Sequence, residues 1–171
     1  MSSAMTFPGL ASYVAQINQL AHNSLEICQK ASAKGAAVVA DACKAEIDGL
    51  ATQGEAFALG AYQKHKKDNG THKAMLSPRQ KKGLQESMGL APMRNDHGFI
   101  NTKLGFDGYN EITTKTYPKG QPNALIARSL ESGSSAFDKD PFVRRATNAS
   151  KAKAEKAIET ALDNEIKKLV K

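Results

Sequence analysis

The sequence predicts an α+β fold in which a long N-terminal helix and a C-terminal helix pack on a small antiparallel β-sheet. Apolar residues recur at helical spacing near both ends of the chain, whereas the middle alternates partly and contains several turn-forming clusters. The order of helices, then sheet, then helix is that of an α+β domain. The 171 residues suit a single domain over 1–171, and a hydrophobic share of 40% provides a modest core.

Two helices are predicted before residue 50. A short first helix over 7–20 is indicated by an apolar repeat, and the polar stretch 22–24 separates it from a longer helix that ends near Gly49. Gly35 costs about 1 kcal/mol relative to alanine in a helix interior, so it either admits a close neighbour or marks a weak point. The apolar and small residues of the longer helix share one side: Leu25, Cys28, Ala31, Gly35, Val38, Val39 and Ala42.

The chain after the long helix is polar and basic. An exposed basic loop is predicted at about 63–76, where Asn69 and Gly70 interrupt any regular pattern. Ser77 followed by Pro78 is typical of a helix start, with the serine as the cap and the proline in the first helical position. A new helix is therefore expected to begin here.

A β-hairpin is predicted from Met88 to Phe106, because apolar residues alternate partly on both sides of the turn-forming cluster 95–98. Residues 107–108 predict a second turn, and the threonine-rich stretch 112–117 predicts another strand. Residues 123–130 fit either a strand or a helix, and 131–135 suit a flexible connector.

The final helix is predicted to open at Asp140 and Pro141, with the aspartate as N-cap and the proline in the first helical position. Lys167 and Lys168 suit the negative C-terminal end of a helix. Six residues form its apolar face: Ala154, Ile158, Ala161, Leu162, Ile166 and Leu169.

Residue types that carry chemistry are scattered along the chain. Cys28 and Cys43 on one helix would lie about 22 Å apart, whereas a disulfide needs Cα atoms within about 7 Å, so no disulfide between them is expected. Both lie within helical patterns rather than at a helix start, so they are expected to be buried small hydrophobes. His65 and His72 share a loop that has too few further donors for a metal. No serine has a nucleophile-elbow setting. We expect a non-enzymatic protein without cofactor or metal.

The charge of the chain is unevenly distributed. The net charge is +7, and no secretory signal or membrane-spanning stretch is expected. One short stretch holds seven basic residues against the single acid Asp68: Lys64, Lys66, Lys67, Lys73, Arg79, Lys81 and Lys82. Such a stretch suits diffuse contact with a nucleic-acid backbone or docking on an acidic protein. The sequence does not indicate a helix-turn-helix reader or an aromatic stacking surface.

Two stretches carry a resemblance to a known family. The first comprises LQESMGL at 84–90, Gly98 and NTKLGFDGYN at 101–110; the second comprises IARSLESGSS at 126–135 and DPFVRRA at 140–146. In this order they resemble the HK97-type tail-completion or head–tail joining proteins of siphophages. That family has a long helix, a hairpin, an E-x-G-[ST]-S stretch and a P-F-[LV]-R-x-A helix opening. The chain departs from the family at 51–77, where a basic insertion replaces a short turn.

The resemblance implies a structural virion protein at the neck, made in the host cytoplasm, that joins tail to head in a ring around the DNA channel. The ring would most naturally be six-fold. The implied partners are further copies of the chain, a head-closure or connector protein, and a tail terminator or tail-tube protein, with genomic DNA held by diffuse charge and no membrane involved. The alternative is a basic, non-specific nucleic-acid-binding protein.

The expected contact residues follow from this reading. The edge of the hairpin is expected to contact a neighbouring copy, through Met88, Leu90, Phe99, Ile100, Leu104 and Phe106. The C-terminal helix is expected to dock through Phe142, Arg144, Arg145 and Ala146. The seven basic residues of the 64–82 stretch are expected to face the DNA channel or a partner.

Overall fold

The computed structural model describes residues 9–54, 76–134 and 136–169, and it confirms the predicted α+β fold. These residues contain two long helices, two short helices and two small antiparallel ladders, joined by loops. In chain order the elements are α1 (Leu10–Gly49), α2 (Pro78–Ser87), β1 (Met88–Leu90), β2 (Arg94–Asp96), β3 (Phe99–Asn101), β4 (Leu104–Phe106), α3 (Asn123–Ser132) and α4 (Phe142–Leu169).

Helix α1 is continuous over 40 residues, so the predicted break at 22–24 is wrong. The side-chain amide of Asn23 donates to the carbonyl of Gln19 at 2.9 Å, and the hydroxyl of Ser24 donates to the carbonyl of Ala21 at 2.9 Å. These polar side chains bond back to the preceding turn, so they do not compete with the backbone for its hydrogen bonds. The helix therefore passes through a stretch whose composition suggests a turn.

The buried face of α1 is rotated from the predicted one. Ala31, Gly35 and Cys43 are buried as expected, but Cys28 and Leu25 are exposed. The buried stripe advances mostly in steps of four residues, and Cys28 lies about 100° around the helix from Ile27, on the solvent side. The complete buried set is Ile27, Ala31, Gly35, Ala40, Cys43 and Ile47.

Helices α1 and α4 pack antiparallel along most of the length of α4. The guanidinium of Arg145 donates to Glu46 at 2.9 Å near one end of the pair, and Lys30 lies 3.6 Å from Glu165 near the other. Between them, a Cβ built on Gly35 would lie 2.6 Å from the side chain of Ile158. Gly35 is thus the site of a close helix–helix approach, the first of the two alternatives left open by the sequence.

The main core lies at the end of this pair where the short elements gather. Phe142, Ile47, Leu84 and Cys43 are its largest fully buried side chains. The rings of Phe106 and Phe142 meet edge to face with centroids 5.9 Å apart, so the hairpin is attached directly to α4. The buried cluster comprises Ala40, Cys43, Ile47, Leu50, Leu76, Leu84, Met88, Ile126, Ala127, Leu130, Phe137, Phe142 and Ala146.

The predicted start of α2 is confirmed. The Ser77 hydroxyl accepts from the Gln80 backbone N–H at 3.2 Å, and the Gln80 side chain accepts from the Ser77 backbone N–H at 3.0 Å, with Pro78 first in the helix. This reciprocal pair is a capping box. Most of the predicted basic loop at 63–76 lies outside the described residues. The last residue of that range, Leu76, is buried, and the carbonyl of Leu76 accepts from the N–H of Gln53.

Three predictions between 107 and 135 are resolved. The predicted strand at 112–117 is wrong, because these residues form a loop. Within the loop, Thr114 and Tyr117 exchange two backbone hydrogen bonds with each other instead of pairing with another strand. Residues 123–130 are helical, as one of the two alternatives proposed. The predicted connector at 131–135 is wrong at its start, because α3 continues to Ser132 before Gly133 ends it.

The predicted cap of α4 is also wrong. The helix begins at Phe142, one residue later than expected, and its first backbone bond runs from the Arg145 N–H to the Pro141 carbonyl at 3.0 Å. The carboxylate of Asp140 instead accepts from the Arg145 guanidinium. The capping carboxylate belongs to Glu131 of α3, which accepts from the N–H groups of Val143 at 3.0 Å and Arg144 at 3.2 Å. A negative group at this positive end of α4 stabilises the helix.

Candidate functional site

The hairpin from Met88 to Phe106 is built as two ladders in one continuous arm. Strand β1 pairs with β4 at the base, and β2 pairs with β3 at the tip. Between the ladders, the Ala91 N–H donates to the Lys103 carbonyl at 2.8 Å, and the Thr102 hydroxyl donates to the Ala91 carbonyl at 2.6 Å. The two ladders are therefore linked by hydrogen bonds.

The tip of the arm is closed by a two-residue turn. His97 and Gly98 have φ values of 53° and 94°, the left-handed conformation that tight hairpin turns require at both central positions. The Asn95 side chain accepts from the Gly98 N–H at 2.8 Å, and the Asn101 side-chain amide donates to Asp96 at 2.7 Å. These bonds hold the tip in one register.

The apolar residues of the arm divide into two groups. At the base, Met88 is only 7% exposed, and Leu104 and Phe106 pack against the main core. At the tip, Phe99 is 80% exposed, and Leu90 on the outer part of β1 is 39% exposed; Ile100 is half-buried. The six predicted contact residues thus lie in one hairpin, but only Leu90, Phe99 and Ile100 remain available to a partner.

The four predicted helix-docking residues occupy the first turns of α4. Phe142 and Ala146 are buried in the main core, whereas Arg144 and Arg145 are exposed. Arg145 bridges Glu46 of α1 and Asp140 ahead of its own helix. Within the chain, these residues join α4 to α1 and to the base of the hairpin.

The predicted basic contact set is only partly described. Lys64, Lys66, Lys67 and Lys73 lie outside the described residues, while Arg79, Lys81 and Lys82 belong to α2. The ammonium of Lys81 donates to the carbonyls of Asp48 at 2.8 Å and Leu50 at 2.9 Å, which satisfies acceptors at the C-terminal end of α1. Lys82 lies 3.7 Å from Glu86. Lys81 therefore has a structural role that the charge pattern did not reveal.

The N-terminal part of α1, residues 10–25, extends beyond the described end of α4. Because Glu165 lies beside Lys30, the remaining turn of α4 reaches only to about residue 26 of α1. This N-terminal extension spans roughly 24 Å and contains no Asp, Glu, Lys or Arg. Its exposed large apolar side chains recur at helical spacing: Leu10, Tyr13, Val14, Ile17 and Leu25. The sequence predicted a short helix over 7–20 from this apolar repeat, but it did not indicate whether a neighbour covers the stripe.

A polar pocket of about 360 Å³ lies between α2 and the segment after β4. A Cβ on Gly83 would lie 2.6 Å from Oδ1 of the Asn123 side chain, so glycine lets the asparagine pack against α2. Asn123 donates to the Asp107 carbonyl at 3.0 Å, and Asn110 accepts from the Ile112 N–H at 2.9 Å. These bonds fix the chain after the hairpin, and among the described residues no three His, Cys, Asp or Glu side chains form a metal-binding group.

The two cysteines have different environments. Cys43 is completely buried, whereas Cys28 is exposed, and neither forms a disulfide. Burial raises the pKa of the Cys43 thiol, and the nearby carboxylates of Glu131 and Glu46 raise it further. A raised pKa lowers the thiolate fraction and makes Cys43 a poor nucleophile.

Comparison with known proteins found no matching protein family, no similar curated protein and no similar solved structure. Among the described residues, no helix combines the length and the apolar character that crossing a membrane requires.

Sequence reasoning missed three features of the molecule. They are the cap that Glu131 forms on α4, the exposure of the N-terminal extension, and a lysine-rimmed groove lined by residues 30–41 of α1 and 153–168 of α4. The first depends on a contact between different helices. For the second, a signal was present, because an apolar stripe without a single formal charge is unusual for a solvated helix. For the third, lysines at 153, 156, 167 and 168 flank alanines at 157 and 161 on both sides in the sequence.

Proposed function

We propose that this chain is a non-enzymatic structural protein of a long-tailed phage particle, acting at the neck where the tail joins the head. The observation that carries the proposal is the exposure of Phe99 at the tip of the hairpin arm. The phenylalanine lies on β3, which pairs with β2 across a tight turn, and its side chain faces solvent. Together with the exposed apolar stripe on the N-terminal extension of α1, this gives the chain apolar surface of the extent that is typical of a site covered by another chain. The order of sequence motifs resembling the tail-completion family supplies the phage assignment.

A ring forms when one surface of each copy binds a different surface of the next copy, and the rotation between neighbouring copies returns the last copy to the first. The tip of the hairpin supplies one such surface, through Leu90, Phe99 and Ile100. The N-terminal extension of α1 supplies a second apolar surface distant in sequence from the first. An elongated molecule with contact surfaces on two separate elements suits repeated assembly around a channel.

The test uses mass photometry of the purified chain, alone and mixed with the connector and tail-tube complexes encoded by the same genome. We expect incorporation as a ring of fixed stoichiometry. The variant Phe99→Ser should lose incorporation while keeping its fold, because the ring it removes is 80% exposed. Leu125→Ser is the matched control, since Leu125 is also a large exposed apolar residue but lies on α3.

Two results would overturn the proposal. One is a chain that ignores both complexes at every concentration. The other is a chain that is retained on DNA at moderate salt, with retention that falls steeply as salt rises, which is the behaviour of a non-specific nucleic-acid-binding protein.

A further inference from the structure

A long groove lies along one side of the α1–α4 pair, away from the hairpin and from the main core. Its volume is about 1200 Å³, above the roughly 300–1,000 Å³ of small-molecule pockets. Its length is roughly 16 Å along α1 and 22 Å along α4. The groove therefore has the dimensions of a site for a segment of polypeptide.

The apolar lining of the groove, which we call its floor, is made of small side chains, and the polar Thr160 and Asn164 also line the groove. Ala33, Ala37 and Val38 come from α1, and Ala157 and Ala161 come from α4. Small side chains allow a third helix to approach closely, within the 8–10 Å interaxial distance of packed helices. The floor recurs with a spacing of about four residues on both helices, as a helical partner would require.

The rim of the groove is strongly basic. Only two acids, Asp41 and Glu165, face its lysines, and Glu165 is paired with Lys30 and Lys168. Within the described part of the chain, the other four lysines form no ion pair. The rim lysines are Lys30, Lys34, Lys153, Lys156, Lys167 and Lys168.

We infer that this groove binds an acidic amphipathic helix of a partner protein. The apolar stripe of that helix would lie on the alanine floor, and its Glu or Asp side chains would pair with the lysine rim, which is the helix-in-groove mode of recognition. A nucleic-acid backbone would use the lysines but gain nothing from the floor. A bilayer surface would need large apolar side chains that insert between lipids, whereas this floor is made of alanines and one valine. The inference does not depend on the neck assignment.

The first experiment measures binding of a designed probe to the full-length chain. The probe is a fluorescent helical peptide of about 18 residues, with leucines at i, i+3, i+4 and i+7 and glutamates flanking them. A second peptide with lysine in place of every glutamate is the control. Fluorescence anisotropy should show binding of the acidic peptide only. In spectra of the chain with labelled alanine methyl groups, the peptide should shift the floor residues Ala33, Ala37, Ala157 and Ala161.

The second experiment separates the groove from the overall charge of the chain. The double variant Lys34→Glu/Lys156→Glu reverses two rim charges, and Lys44→Glu/Lys151→Glu makes the same change on the same helices outside the groove. All four lysines are exposed, so both variants should fold. We expect the rim variant to bind the acidic peptide at least about tenfold more weakly, and the control variant to stay within about twofold of wild type.

Several outcomes would overturn the inference. Equal losses in the two double variants would mean that overall charge, rather than the groove, attracts the peptide. Equal binding of the lysine peptide would mean that the floor acts without the rim. If a short DNA duplex or a phosphatidylserine vesicle bound through Lys34 and Lys156 while the acidic peptide did not, the surface would be a polyanion site.

Discussion

At the scale of single residues, the fold depends on a few side chains whose contacts join distant parts of the chain. Glu131 lies in the last turn of α3 and caps α4, and Arg145 links α1 to the segment ahead of α4. Lys81 bonds carbonyls at the end of α1, although its sequence context suggested a nucleic-acid contact. A charged residue in a basic stretch can therefore serve the fold rather than a partner.

Phe142 offers the first prediction at this scale. Its side chain is completely buried and contacts Phe106 edge to face, so Phe142→Ala should lower the free energy of unfolding by about 3–5 kcal/mol. Urea denaturation followed by circular dichroism measures the change. The exposed Phe99 is the control, because Phe99→Ala should change stability by no more than about 0.5 kcal/mol. An unchanged midpoint for Phe142→Ala would contradict this burial.

The two cysteines offer a second prediction at the scale of single residues. Cys28 is exposed and Cys43 is buried with a raised pKa, so a thiol reagent should modify one cysteine per folded chain quickly and the other only after unfolding. Ellman's reagent at neutral pH measures both phases. Cys28→Ser should remove the fast phase and leave the slow one. Two thiols that react at the same rate in the folded chain would contradict the assignment.

At the scale of elements, the close approach of α4 to α1 at Gly35 tests how these two helices pack. Gly35→Ala would normally stabilise a helix by about 1 kcal/mol, but here the new methyl group would meet Ile158, and overpacking costs about 1–3 kcal/mol. We expect Gly35→Ala to destabilise the wild type and to stabilise the Ile158→Ala background. Thermal or urea unfolding of the four proteins in this cycle measures the reversal of sign. Stabilisation in both backgrounds would show that the two helices do not approach closely at Gly35.

The elements that sequence predicted well are those set by neighbours in the chain. The helix start at Ser77 and Pro78 and the turn at 97–98 each depend on residues within one turn of each other, so their patterns are sufficient. The failures have non-local causes. The threonines at 112–117 favour a strand only when another strand pairs with them, and the carboxylate that caps α4 arrives from α3.

The candidate site was predicted to a similar degree. The hairpin was located because alternation and turn residues mark it, and its tip remains the expected contact. The sequence did not show which apolar residues of the hairpin stay exposed, because that depends on packing against Phe142 and the rest of the main core. Most of those core residues lie far from the hairpin in the sequence, so no local pattern includes them all. The face of α1 that meets α4 was misjudged at Cys28, since a shift of one residue moves a side chain from the interface to solvent.

At the scale of the whole molecule, the fold has a packed end and an open end. The short elements gather around the start of α4 and the end of α1, and beyond this core the two long helices continue side by side, with the hairpin strands β1 and β3 also in contact with α1. The hairpin tip, the groove and the N-terminal extension all lie outside the main core. This separation allows surface contacts to change without loss of the fold.

The N-terminal extension also implies a gradient of backbone protection along a single helix. Residues 27–47 of α1 are held by α4 and the core, but in the described part of the chain most side chains of residues 10–25 are exposed, and helical segments of about 12–15 residues are marginal in water. In hydrogen–deuterium exchange, amides before residue 25 should exchange quickly and those after Ile27 slowly. Uniform protection of both halves would contradict the gradient. A partner that covers the extension would have to order it first, so its affinity would include the entropy of completing the helix.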